Sequence, residues 1–211
     1  MLATAYSQNQ KLLPRDETDK EASLRIFVDE LKNAVKKQDG KYILSVLDKE
    51  VISSFGGDGG IGEFKQLWDI QSPNSEVWRI MEKILDLGGV FMQTDDSMHQ
   101  FVFPYVFALE LDNDDDYYTV EVVVEDKLTV RERPDDNSNS TGILSYDVVW
   151  VEYSEDFKPQ YQKEGWTYVR TLDKKIIGYV PSDALYSPIG YRMILAKTDN
   201  NWKITCLVAG D

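Results

Sequence analysis

The sequence is short of the residues on which most site chemistry depends. It has one cysteine, Cys206, and one histidine, His99. A lone cysteine closes no disulfide within the chain, which is neutral on compartment. A lone histidine would need carboxylates or Cys206 beside it to hold a metal. Basic residues are also scarce: 23 Lys and Arg stand against 37 Asp and Glu, a net charge of −14. Phosphate backbones and anionic leaflets are bound by clustered Lys and Arg, so nucleic acid and membrane surfaces are disfavoured as partners. The charge reads as solubility. No apolar run reaches the ~18 residues of a membrane span.

Aromatic and apolar residues are not scarce. Hydrophobic residues make up 42% of the chain, with 12 Tyr, 8 Phe and 5 Trp, enough for a real core. The first residues are polar and read as loose. Ala3-Thr4-Ala5 has the small-x-small form of a signal-peptidase site, without the basic and apolar regions that should precede it. It fits the tail of a trimmed leader and an ordinary loose terminus equally well. Export to a periplasmic or secreted location is the expectation, with the cytoplasm as the other option.

Organisation follows from periodicity. Leu24, Phe27, Val28, Leu31, Ala34 and Val35 form one apolar stripe at helical spacing, and Gly40 suits a left-handed cap after it. Tyr42 to Leu47 reads as a short helix and Val51 to Phe55 as an extended piece. Glu63 to Trp68 reads as a helical turn. Ser75 is placed to cap a helix whose inner face is Val77, Trp78, Met81, Ile84 and Leu85. The period then changes, and residues 100–111 read as extended, with a bend at Pro104. From Tyr117 onward the chain is short strands and turns. Trp202, Ile204, Cys206 and Val208 alternate along the second arm of a final hairpin. An isolated hairpin is marginal in water, so this one is expected to dock on Phe101 to Leu111 and the first helix.

Within the strand-rich part, Leu128, Val130, Arg131 and Pro134 are followed by Gly142. Then come Gly165, Trp166 and Val169, and finally Gly178, Tyr179, Val180 and Leu185. This order and spacing resembles bacterial SH3 (SH3b-like) domains, over about residues 120–186. The departure is a long insert around Asp156 to Glu164. The helix followed by KKQDGKYILSVLDKEV, with the final NNWKITCLVAGD, resembles the start and end of NTF2-like domains. The whole is similar to uncharacterised exported bacterial proteins that pair two such modules. The implied fold class is α+β: a mixed N-terminal domain completed by the C-terminal hairpin, with a small SH3-like β-barrel inserted. The expected limits are a loose leader remnant at 1–20, a discontinuous α+β domain at 21–118 plus 187–211, and the barrel at 119–186.

Apparent catalytic motifs do not hold up. Gly57 to Gly62 matches G-x-G-x-x-G, but lacks a long following helix and a parallel βαβ unit, and Asp58 would repel a pyrophosphate. Asp112, Asp114 and Asp116 imitate an EF-hand start, but Tyr117 and Val123 occupy the positions that need Gly and Glu. Cys206 sits on an apolar strand face, wrong for an activated thiolate. Asp95-Asp96 and Asp135-Asp136 lie in turns, where Asp is expected for backbone reasons. No catalytic residue, metal ligand or cofactor is therefore assigned.

The resemblance implies a non-catalytic exported binding protein, its SH3-like module recognising a peptide, a peptidoglycan fragment or a protein partner. Trp166 and Tyr179, at motif positions, with Tyr146 and Tyr153, are the candidate ligand contacts in a shallow groove. Alternation turns about half of the barrel aromatics inward. The alternative is an NTF2-like small-molecule domain, a ligand carrier or enzyme, with a deep cavity lined by Trp68, Trp78, Phe103 or Tyr105 and the barrel in a structural role.

Overall fold

The computed structural model describes residues 9–92, 100–111, 116–151, 153–154 and 156–210. Ala3-Thr4-Ala5, His99, the Asp95-Asp96 pair, Asp112 and Asp114 lie outside them. The chain forms two compact units. One, the α+β unit, comprises residues 15–108 and 189–211; the other, the strand unit, comprises 1–14 and 109–188.

The α+β unit begins with α1 (Ala22–Lys36), which buries Leu24, Val28, Leu31, Ala34 and Val35 on one stripe. Gln38, not Gly40, takes the left-handed position after it, at φ 53°. Gly40 instead opens α2 (Gly40–Val46), which is capped by Asp39 accepting from the Tyr42 amide at 3.1 Å. A Cβ at Gly40 would lie 2.7 Å from the Ile70 carbonyl oxygen, so close packing selects glycine there. β1 (Leu47–Ile52), α3 (Gly60–Trp68), α4 (Glu76–Asp86), β2 (Val90–Phe91) and β3 (Gln100–Phe103) follow. Ser75 caps α4 through the Val77 amide. A 3-10 turn, Tyr105–Ala108, ends this stretch.

The strand unit supplies β4 (Val120–Val123), β5 (Leu128–Arg131), β6 (Ser140–Leu144), β7 (Val148–Trp150), β8 (Trp166–Thr171), β9 (Ile177–Pro181) and β10 (Leu185–Tyr186). The chain then returns to the α+β unit as β11 (Arg192–Thr198) and β12 (Asn201–Val208). There the five strands run β1-β12-β11-β3-β2. β1 is parallel to β12, and the other neighbours are antiparallel, with Met193 opposite Phe103. Trp202 ties this hairpin to α1 by donating from Nε1 to Ser23 Oγ at 3.1 Å.

The strand unit corrects the expected fold. Its sheet has seven strands in the order β10-β4-β7-β8-β9-β5-β6, and it is open: the terminal strands β10 and β6 do not pair. Several SH3b-like motif positions lie on paired strands, with Val169 opposite Gly178, while Pro134 and Gly165 lie in the turns outside β5 and β8. Local alternation and turn chemistry produce those hairpins, but closure is a long-range property that no hairpin encodes. Among the described residues there is no closed SH3-like barrel, and the SH3b resemblance does not extend to the three-dimensional fold. The core of the sheet is Val123, Leu128, Val130, Leu144, Val149, Val169, Val180, Ala184 and Leu185. Residues 9–14 belong to the same unit. Gln10 accepts from the Val148 amide at 2.9 Å, Leu12 donates to the Tyr146 carbonyl at 2.9 Å, and Lys11 pairs with the buried Asp147 at 2.9 Å.

One residue lets β9 approach β5. A Cβ at Gly178 would lie 2.4 Å from the Arg131 carbonyl oxygen and 2.9 Å from a Val130 methyl. Backbone cannot yield as a flexible side chain can, and overpacking costs about 1–3 kcal/mol. Gly178→Ala is expected to lower unfolding stability by about that amount, read as a shift in the urea midpoint at an unchanged slope.

Candidate functional site

The strand unit carries a cleft of about 350 Å³ lined by Tyr153, Pro159, Tyr161, Gln162, Lys163, Glu164, Trp166, Tyr168 and Tyr179. Its floor is a cross-strand pair. Tyr168 on β8 stands directly opposite Tyr179 on β9, with ring centroids 4.7 Å apart. Opposed aromatics on one sheet face stabilise each other beyond their buried area. Phe157 stacks on Tyr168 at 5.0 Å and 20°, and meets Tyr153 edge-on at 5.8 Å. Tyr161 closes the series at 6.3 Å from Tyr179. Tyr153 and Tyr161 keep 47% and 41% of their surface exposed, so ring faces are open to a ligand.

The walls come from the insert. Its position is fixed by the Tyr179 phenol, which accepts from the Tyr161 amide at 2.7 Å, and by Lys163, which donates to the Pro134 carbonyl at 2.9 Å. Lys163 also lies over the Trp166 ring at 5.7 Å. Beside the series, on the same face of β8 as Tyr168, Arg170 is held against Trp150 and Phe157, at 4.5 and 4.6 Å from their ring centres. It donates to Asp156 at 3.2 Å. The Ser154 hydroxyl chiefly, with the Arg170 guanidinium adding to it, holds the Asp156 carboxyl below its usual range. Burial pushes the Tyr168 phenol up, the nearby Tyr179 adds to this, and Arg170 opposes both. The floor phenol therefore stays a neutral donor and acceptor near pH 7.

Three of the four expected contacts, Tyr153, Trp166 and Tyr179, meet in this cleft. Tyr179 is only 2% exposed, so it supports the wall more than it faces solvent. Tyr146 is elsewhere: it occupies a left-handed turn at φ 58°, with its backbone bonded to Glu125 and Leu12. Tyr161 and Tyr168 line the cleft without having been singled out. Strand alternation and the aromatic within the insert were the available signals for them.

Both functional readings drawn from resemblance are corrected here. Recognition by an SH3-like module loses its basis with the barrel, because the sheet is open. The NTF2-like carrier needs a deep interior cavity, but Phe103 and Tyr105 are fully packed and Trp78 spends its indole N–H on the Ser72 carbonyl at 2.9 Å. The G-x-G-x-x-G stretch folds around a carboxylate of its own. Glu63 accepts from Ser54 Oγ at 2.6 Å and from the Gly59 amide at 2.8 Å, bonds that hold its pKa down. Cys206 is buried, and burial pushes its thiol up against the opposing charge of Arg192. Among the described residues no group of three His, Cys, Asp or Glu is placed to hold a metal.

The β8–β9 turn that sets the Tyr168–Tyr179 register depends on Asp173. Its carboxylate accepts from Thr171 Oγ1 at 2.7 Å and the Lys175 amide at 3.1 Å, and pairs with Lys175 Nζ at 3.0 Å. The Thr171 bond first, then those to Lys175, lower its pKa to about 2. A lowered folded-state pKa gives stability that is fully present above about pH 4 and is lost as pH falls through about 2. The stability gap between wild type and Asp173→Asn is therefore expected to be constant from pH 7 to about pH 5, and to shrink steadily below that in urea titrations.

No family model, curated protein or solved structure matches the chain.

Proposed function

We propose that this chain is a non-catalytic saccharide-binding protein and that the aromatic cleft seats an uncharged stretch of sugar rings. One observation carries the reading: the continuous series Tyr153–Phe157–Tyr168–Tyr179–Tyr161 opens on a cleft that also offers the polar side chains Gln162, Lys163 and Glu164 beside Pro159 and Trp166. A pyranose ring has the matching character, with C–H bonds on its faces and hydroxyls around its edge. The faces pack on the negative π-surfaces of aromatic rings. The hydroxyls need both donors and acceptors, which Gln162, Glu164, Lys163 and the tyrosine phenols supply.

Charge favours a neutral ligand. Among the described residues the lining holds one cation, Lys163, and one anion, Glu164, so that lining does not share the net charge of −14. Its volume lies at the small end of ligand sites, which run from ~300 to 1,000 Å³. A short segment of glycan fits that space. Glycoside hydrolysis calls for two carboxylates flanking the bond, whereas Glu164 is the one carboxylate among the described residues lining the cleft. Binding without turnover is the consistent reading. It rests on the cleft alone and needs no barrel.

The test is titration of the full chain with chitotetraose, cellotetraose and a proline-rich decapeptide, followed by intrinsic fluorescence and calorimetry. One of the two saccharides is expected to bind. Tyr153→Ala and Tyr161→Ala should each weaken it about five- to tenfold, in line with the ~1 kcal/mol of an aromatic face contact. Both side chains are exposed, so melting temperature should hardly move. Silence with both saccharides at millimolar concentration, or tighter binding of the peptide, overturns the assignment.

A further inference from the structure

We infer that the α+β unit carries a second, independent site: a cleft for an organic ammonium compound with an apolar body. The cleft has a volume of about 610 Å³, larger than the aromatic one. It lies where the chain leaves β1, where α3 ends and α4 begins, and beside the outer ends of β11 and β12.

Two buried polar side chains stand in its wall. Ser53 and Trp68 both line the cleft, at 4% and 7% exposure, and neither Ser53 Oγ nor Trp68 Nε1 has a hydrogen-bond partner among the described residues. Each such orphan costs about 1–3 kcal/mol. An indole N–H can only donate, whereas a hydroxyl can also accept. Both atoms are shielded from solvent, so a ligand meets the rings and carboxylates of the lining rather than these two atoms.

The lining also selects a charge. Asp69 and Glu76 are both there, and no Lys, Arg or His lines the cleft. Glu76 is engaged by Arg79 at 3.4 Å, but Asp69 makes no ion pair among the described residues. The N-terminus of α4 opposes a cation with roughly half a unit of charge, less than either carboxylate supplies. Arg192 approaches Phe55 at 5.6 Å, but it is buried, lies 4.8 Å from the Phe107 ring and donates to the Gly210 carbonyl. Trp68 and Tyr191 meet edge-on at 5.6 Å, and Phe55, 56% exposed, stands at the rim. Aromatic faces next to a carboxylate attract an ammonium group with an apolar body. The strongly negative molecule raises the local concentration of such cations.

The experiment compares three probes with one ring and different head groups: tyramine, tyrosol and 4-hydroxyphenylacetate. Each is titrated into the full chain while indole N–H resonances are followed by NMR, the Trp68 signal being assigned by its loss in Trp68→Phe. Tyramine is expected to shift that resonance, tyrosol to bind at least tenfold more weakly, and the acid not to bind. Asp69→Asn should weaken tyramine about tenfold with unchanged melting. Asp69 is left-handed at φ 41°, a conformation Asn also tolerates, and it is exposed, so the variant keeps the test valid if Trp68→Phe is unstable. Equal affinity for tyramine and tyrosol overturns the ammonium assignment, as does an unchanged affinity in Asp69→Asn. A Trp68 resonance that stays still with every probe at millimolar concentration overturns the site. None of these outcomes bears on the saccharide cleft, whose residues all belong to the other unit.

Discussion

The close approach of two backbones at Gly178 is the constraint on which the strand unit depends. With no side chain at that position, β9 comes within contact of the Arg131 carbonyl on β5 and still pairs with β8 on its other side. That double pairing puts Tyr179 opposite Tyr168 and leaves the Tyr179 phenol free to receive the Tyr161 amide. The insert is thereby fixed against the sheet. The cleft is thus one backbone contact, repeated outward through three rings.

Arg170 plays the complementary part beside the rings. A guanidinium pressed between Trp150 and Phe157 is flat, so it backs the ring series without leaving a void. Its charge is shared with the faces of two rings and with Asp156. Rings and cation share one face of the sheet: Tyr168 and Arg170 stand two residues apart on β8, with the core residue Val169 turned the other way.

What the sequence disclosed and what it hid divide along a physical line. The stripe of α1, the Ser75 cap and the alternation of β12 are set by neighbours a few residues away, and each formed where its spacing implied. The left-handed residue after α1 was misplaced, because Asp39 found a use as the cap of α2 and moved the turn back to Gln38. Sheet closure was misjudged for a deeper reason. Trp166, Gly178 and Tyr179 specify their own hairpins but say nothing about whether β6 reaches β10. The same holds for the cleft. Trp166, Tyr153 and Tyr179 were legible from motif position and aromatic crowding, whereas Tyr161 became a wall only through a bond made 18 residues away. Tyr146 has similar aromatic surroundings in sequence, yet a positive φ turns it out of the group.

The short pairing of Gln10 to Leu12 with the strand unit has a consequence for how the chain is assembled. Those residues leave the ribosome long before Tyr146 and Val148, their partners, and the whole first part of the α+β unit is made in between. The α+β unit in turn lacks its middle strands until β11 and β12 emerge. Each unit therefore encloses a piece of the other in time, and neither is complete until the other has been at least partly synthesised. A nested order of this kind raises contact order and slows folding. It also means that no single cleavage of the chain releases either unit whole, so the two are inherited, expressed and degraded as one object.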